Sequence, residues 1–179
     1  MTETAVRDLA EDRAARLDEA GRFWSRRIAE DTANARLSFK TAGDGVGAVA
    51  TRVTAGRHEF SVDEPAGLAG DDAAASPVEY ALGALISCQV VVYRLYAHQL
   101  GIQIDEISIA AEGDLDVRGL FGVDDQIRPG FEAVRLKVNI TGPETRERYE
   151  ELRRTVDAHC PVLDLFANPT PVSIEVTKN

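Results

Sequence analysis

The sequence predicts an α+β fold with antiparallel strands and a central buried helix. Three patterns carry that reading. Apolar residues recur at helical spacing in segments 3–30 and 143–159. Short alternating segments separated by glycine-rich turns occupy residues 34–63 and 102–142. Between them, residues 76–100 are apolar on nearly every face, as a helix covered on all sides requires. The length of 179 residues and an apolar content of 44% suit one domain with a core of useful size. The expected division is a helical extension over residues 1–33 and a domain over residues 34–179.

The first element, residues 3–30, has an apolar stripe through Val6, Ala10, Ala14, Leu17, Trp24 and Ile28, with charges between. Trp24 is its expected anchor, and a partner chain is its expected seat. Next come ARLSFKTAG, GAVATRVTAG and RHEFSVDEP, broken by GDGVG and AG, which read as an antiparallel meander. GLAGDDAAASP has no period and reads as a loop. The central helix starts at Ser76-Pro77-Val78-Glu79. Serine at the cap, proline at the first helical position and glutamate at the third form a capping box. Gly101 ends that helix. IQIDEISIAAEGDLDVRGL and FEAVRLKVNITG read as strands joined by the long loop GLFGVDDQIRPG, a candidate lid. A helix over 143–159 follows. Pro161 breaks it, a short turn covers 162–166, and a last strand is expected at Val172–Val176.

A net charge of −10 argues against nucleic acid or an anionic membrane surface as partner, because phosphate binding needs a cationic face. The N-terminal segment alternates acids and bases and lacks the apolar run of a signal peptide. The longest apolar stretch, Ala81 to Tyr96, is interrupted by Ser87, Cys88, Gln89 and Arg94, as in a buried helix rather than a membrane span. The expected setting is the cytoplasm.

Two cysteines are too few for a secreted disulfide scaffold or a structural zinc site. They are either core filling or redox groups. Cys88 falls in the middle of the apolar helix, where burial makes a thiol inert unless a cation or an opening to solvent is near. Cys160 stands at a helix break before proline, where amide donors favour the thiolate, so local position makes it the more acidic of the two. His58, His98 and His159 are scattered. They show neither ligand spacing for a metal nor the positioned base and orienting group of a cysteine hydrolase.

The segments SPVEYALGALISCQVVVY and HCPVLDLFANPTPV, with FSVDEPAGLAGDDAAASPVEY leading into the first and EGDLDVRGLFG after it, resemble the OsmC/Ohr family of organic hydroperoxide reductases. The resemblance covers about residues 34–178. It implies an intertwined homodimer in which central helices pack together and sheets wrap outside. Cys88 is then the peroxidatic cysteine and Cys160 the resolving one. A sulfenic acid on Cys88 condenses with Cys160 to a disulfide, and a dithiol of the dihydrolipoamide kind restores the pair. No metal or organic cofactor is implied. The family also uses a glutamate and an arginine at the thiolate. Its glutamate directly follows the helix proline, where this chain has Val78; Glu79 comes one place later, a rotation of about 100°. Its arginine lies in the first hairpin, which here reads AGDGVGAV. Arg52 on the next strand is the nearest candidate, with Arg57, Arg36 and the partner's Arg26 as alternatives. Tyr80, Tyr93, Tyr96, Phe121, Phe131 and Phe166 are core by default, and under the resemblance some line an apolar pocket for the organic part of a peroxide. The departures at Glu79 and Arg52 favour a second possibility: a non-catalytic relative that binds an apolar ligand or senses oxidants.

Overall fold

The structure is a computed structural model that describes residues 3–178, with side chains from Leu9 onward. The chain divides into two compact units, residues 1–81 and 82–179.

The first unit opens with α1, Glu3–Glu30. Trp24 is half-buried and meets Phe23 edge to face at 5.5 Å, and the Arg27 guanidinium lies over the Phe23 ring. The rest of the stripe from Ala10 on is exposed or half-buried; the side chain of Val6 lies outside the described residues. Three antiparallel strands follow in the order β1 (Thr41–Val46), β2 (Ala50–Ala55) and β3 (His58–Val62). The meander is as expected, but its first strand is displaced. Residues 36–40 join no strand among the described residues, and Phe39 is 89% exposed. The expected turn GDGVG instead contributes Gly43 to Val46 to β1, and Gly47 alone supplies the positive φ of 62° that the turn needs. After β3, Asp63 is buried and its Oδ2 accepts from the Asp71 and Ala73 amides, which closes the loop toward the next helix. A side chain at Gly70 would overlap the Glu64 backbone, so this closure admits only glycine there.

Helix α2, Pro77–Gln99, begins in the first unit and runs through the second. The capping box forms as the sequence predicts. The Glu79 carboxylate accepts from the Ser76 amide at 2.8 Å and from the Ser76 hydroxyl at 2.7 Å, and the Glu79 amide donates to Ser76 Oγ. At the other end Gly101 has φ 63°, and the Ile102 amide donates to the Ala97 carbonyl, a Schellman closure. The second unit adds β4 (Glu106–Asp114) and β5 (Ala133–Thr141), paired antiparallel, with the short α3 (Val117–Leu120) in the connection. Both strands alternate exposed and half-buried residues. Helix α4 (Arg146–His159) is capped by the Thr145 hydroxyl and α5 spans Pro161–Ala167. The core of this unit joins Val92, Tyr93 and Ala97 of α2 to Ile102, Ile104, Leu152, Val156 and Cys160.

Several expectations fail in the second unit and its helix. Residues 117–120, read as the end of a strand, form α3, and the turn read at 162–166 is part of α5. The strand predicted at Val172–Val176 is unpaired coil, and Val172, Ile174 and Val176 are each more than 80% exposed. An alternating segment becomes a strand only beside a partner edge, and the described residues of one chain supply none. Nor is α2 covered all round. Leu85, Gln89, Val92, Tyr93 and Ala97 are buried, whereas Val91 is 64% exposed and Val78 and Tyr80 are also open. By length and composition α2 could cross a bilayer; Val92, Tyr93 and Ala97 on one side of it join the core of the second unit.

Candidate redox site

Cys88 and Cys160 are brought together in the second unit. α2 carries Cys88 in mid-helix, half-buried against the core. Cys160 is only 2% exposed and stands where α4 ends and α5 begins. The local sequence fixes that junction. Pro161 has no amide hydrogen to continue α4, yet its φ suits the first position of a new helix. Cys160 therefore adopts extended backbone, φ −83° and ψ 110°, and its carbonyl accepts the Asp164 amide of α5 at 3.0 Å.

This geometry turns a backbone group on Cys88. The first amides of a helix have no partner within it. In α5 one of them, the Val162 N–H, faces the Cys88 sulfur and favours its thiolate. Burial acts the other way and more strongly, and contact with the Cys160 thiol adds to burial. The net result is a Cys88 pKa raised above the ordinary thiol value. No arginine among the described residues contributes to this balance. Both cysteines are free thiols in side-chain contact. Such a pair can close to a disulfide with modest adjustment of the two side chains.

The other named residues lie as follows. Glu79 spends its carboxylate on the α2 cap, and the Ser76 hydroxyl and amide hold its pKa below the usual carboxylate range. Arg52 is exposed on β2, opposite Asp44 of β1 and Ser61 of β3. Arg57 lies in the turn after β2, Arg36 after α1, and Arg26 is exposed on α1. Of the aromatics, Tyr93 is core, with its phenol pushed up to about 12 by burial. Phe121 is exposed, and Phe131 stacks with Phe166 of α5 at 6.3 Å between centroids. Tyr80 packs on Phe60 and donates to the Ser61 carbonyl.

Sequence reasoning did not foresee the Val162 amide, because it is a backbone donor brought to Cys88 by tertiary contact. It also passed over Gln89, whose Nε2 is buried with no hydrogen-bond partner among the described residues. An apolar helix carrying a glutamine was the available signal. His159 packs its ring against Tyr96 at 4.8 Å, and its Nδ1 donates to the Thr155 carbonyl at 2.7 Å.

A long helix bearing a cysteine in contact with a second cysteine ahead of Pro161, in a chain whose strands are all antiparallel among the described residues, marks the α+β class. The family model for OsmC-like proteins matches residues 70–175, and the chain belongs to that family. Solved structures agree on the fold. An OsmC-like protein from Mycoplasma pneumoniae superposes with a TM-score of 0.63 at 16% identity, over 73% of this chain and 87% of that one. An organic hydroperoxide resistance protein from Elizabethkingia anophelis gives 0.58 at 23% identity, over 74% and 89%. One from Legionella pneumophila gives 0.58 at 20% identity, over 73% and 90%. No curated protein matches the chain.

Proposed function

We propose that the chain is a cytoplasmic thiol peroxidase that reduces organic hydroperoxides, an antioxidant role suited to stress. The observation that carries this reading is the contact between Cys88 and Cys160 at the mouth of α5. The Cys88 thiolate attacks the peroxide oxygen; the O–O bond breaks and the alcohol leaves with a proton. Cys88 becomes a sulfenic acid. The Cys160 sulfur then displaces water from it and a Cys88–Cys160 disulfide forms. A dithiol of the dihydrolipoamide kind returns the pair to thiols. The family's solved relatives named as organic hydroperoxide resistance proteins support the choice of substrate.

The reading includes a homodimer built on the domain over residues 34–179, with residues 1–33 as an extension. The open apolar face of α2 and the unpaired alternating segment at 172–176 support it, since both need a neighbour to be covered. Within that dimer Glu79 and Arg52 are proposed to orient the peroxide and hold the thiolate. Turnover of cumene hydroperoxide with dihydrolipoamide tests the proposal. Cys88→Ser is expected to reduce the rate to background, and Cys160→Ser to stop multiple turnover. Unchanged turnover in Cys88→Ser contradicts the reading. Arg52→Ala and Glu79→Gln in folded protein report the supporting roles.

One observation favours a second reading, a non-catalytic binder of an apolar ligand or a sensor. Burial raises the Cys88 pKa and no arginine of the described residues offsets it. Under that reading excess hydroperoxide leaves both thiols reduced.

A further inference from the structure

Helix α1 has an apolar stripe that its own chain leaves open. Its main neighbour is the 3-10 turn Thr32–Ala35 that follows it. Ala10, Ala20 and Ile28 are exposed, and a side chain added at Gly21 would meet nothing within 4 Å. A helix of 28 residues with such a face draws most of its stability from whatever covers that face. The family match begins at residue 70, so α1 lies outside it. We propose that α1 pairs antiparallel with α1 of a second copy of this chain, the two helices crossing at Leu17.

Two features choose a second copy in that orientation. The first is that the stripe reads alike from either end. Leu17 is its middle, Ala14 and Ala20 lie three residues to either side, and Ala10 and Trp24 lie seven to either side. A two-fold axis at Leu17 sets Leu17 on the partner's Leu17, Ala14 on the partner's Ala20 and Trp24 on the partner's Ala10, with each unlike contact made twice. Alanine opposite leaves room for the half-buried indole, so large and small side chains interdigitate. The second feature is charge. Residues 9–19 carry Glu11, Asp12, Asp18 and Glu19 against Arg13 and Arg16, whereas residues 20–29 carry Arg22, Arg26 and Arg27 and no acid. A parallel pair would set the three arginines beside their own copies. The antiparallel pair sets them beside the acidic half of the partner.

A lipid surface fits less well. It would take the arginine end, but the carboxylates of residues 9–19 would oppose an anionic bilayer. The paired stripe is narrow and rich in alanine, so it is small beside interfaces that hold subunits unaided. It therefore adds to the contact between the domains of two copies, and it depends on no thiol chemistry.

Trp24 is the chain's one tryptophan, so its fluorescence reports on the pair in the full chain. Ala10→Glu tests the contact from a distance. Position 10 is about 21 Å from Trp24 along its own helix and reaches that indole only through a partner. Glutamate is a strong helix former and position 10 is exposed in one chain, so the change leaves α1 of a single copy intact. Emission from Ala10→Glu is expected to move several nanometres to the red, with faster acrylamide quenching. Emission and quenching equal to those of the parent overturn the proposal. Orientation is read with a spin label on Ser25→Cys, in a chain whose own two cysteines are serine. Antiparallel pairing holds the two labels about 24 Å apart along the axis. Labels side by side, as in a parallel pair, overturn it. A parent chain that sediments as a dimer yet shows neither the emission shift nor the label separation overturns the α1 pair and leaves the contact between domains standing.

Discussion

Cys88 is a thiol under opposing influences. Burial and the Cys160 thiol hold its proton on, and the Val162 amide pulls toward the thiolate. Because the folded pKa is raised, the thiolate fraction is small at neutral pH and grows as pH climbs past the ordinary thiol range. Replacing Cys160 by serine removes the sulfur contact that raises it and leaves burial and the amide in place. Ultraviolet titration of thiolate absorbance should then find Cys88 in Cys160→Ser ionising at lower pH than in the parent chain. An unchanged or higher midpoint would assign the shift to burial alone. The same residue-level view explains what was readable. Ser76-Pro77-Val78-Glu79 announces its own hydrogen bonds, because all its partners lie within one turn. The amide acting on Cys88 is supplied by a segment more than seventy residues away, and nothing near Cys88 in the sequence marks it.

At the scale of elements, α4 and α5 serve to fix Cys160. Leu152 and Val156 are fully buried on one face of α4, and charged pairs such as Arg148 with Glu151 occupy the exposed face. Those surface pairs add little to stability. The apolar face fastens α4 to the core and so sets where its last residue places the sulfur. Leu152→Ala should cost about 2–5 kcal/mol of unfolding free energy, from lost burial plus the cavity left behind. Denaturant melts check this, and a loss well under 1 kcal/mol would mean that α4 is not anchored as described. The long helices α1, α2 and α4 were legible in the sequence because caps and apolar period are local; α3, read as strand, and α5, read as a turn, are too short to show a period. The edges of strands were not. Residues 36–40 and 172–176 alternate as strands do, but a strand needs hydrogen bonds from a neighbour, and pattern alone does not say whether that neighbour is in the chain. The first hairpin was misjudged for a related reason: Gly43 and Gly45 read as turn residues, but only Gly47 adopts the left-handed backbone.

For the molecule as a whole, the excess of uncovered apolar surface is the main physical feature left by one chain. Val91 on α2, Phe39 before β1 and the alternating tail all expose surface that water disfavours. Under the proposed homodimer, Val91→Asp places a charge in the contact between central helices. Sedimentation should find the parent chain as a dimer and Val91→Asp shifted toward monomer. A monomeric parent chain contradicts the assembly.

Intact-mass analysis of the reduced chain treated with one equivalent of cumene hydroperoxide reaches the central claim most directly. The account predicts loss of two hydrogens and a peptide map joining Cys88 to Cys160. Two unmodified thiols after treatment, or an oxidised Cys88 that never joins Cys160, would contradict it.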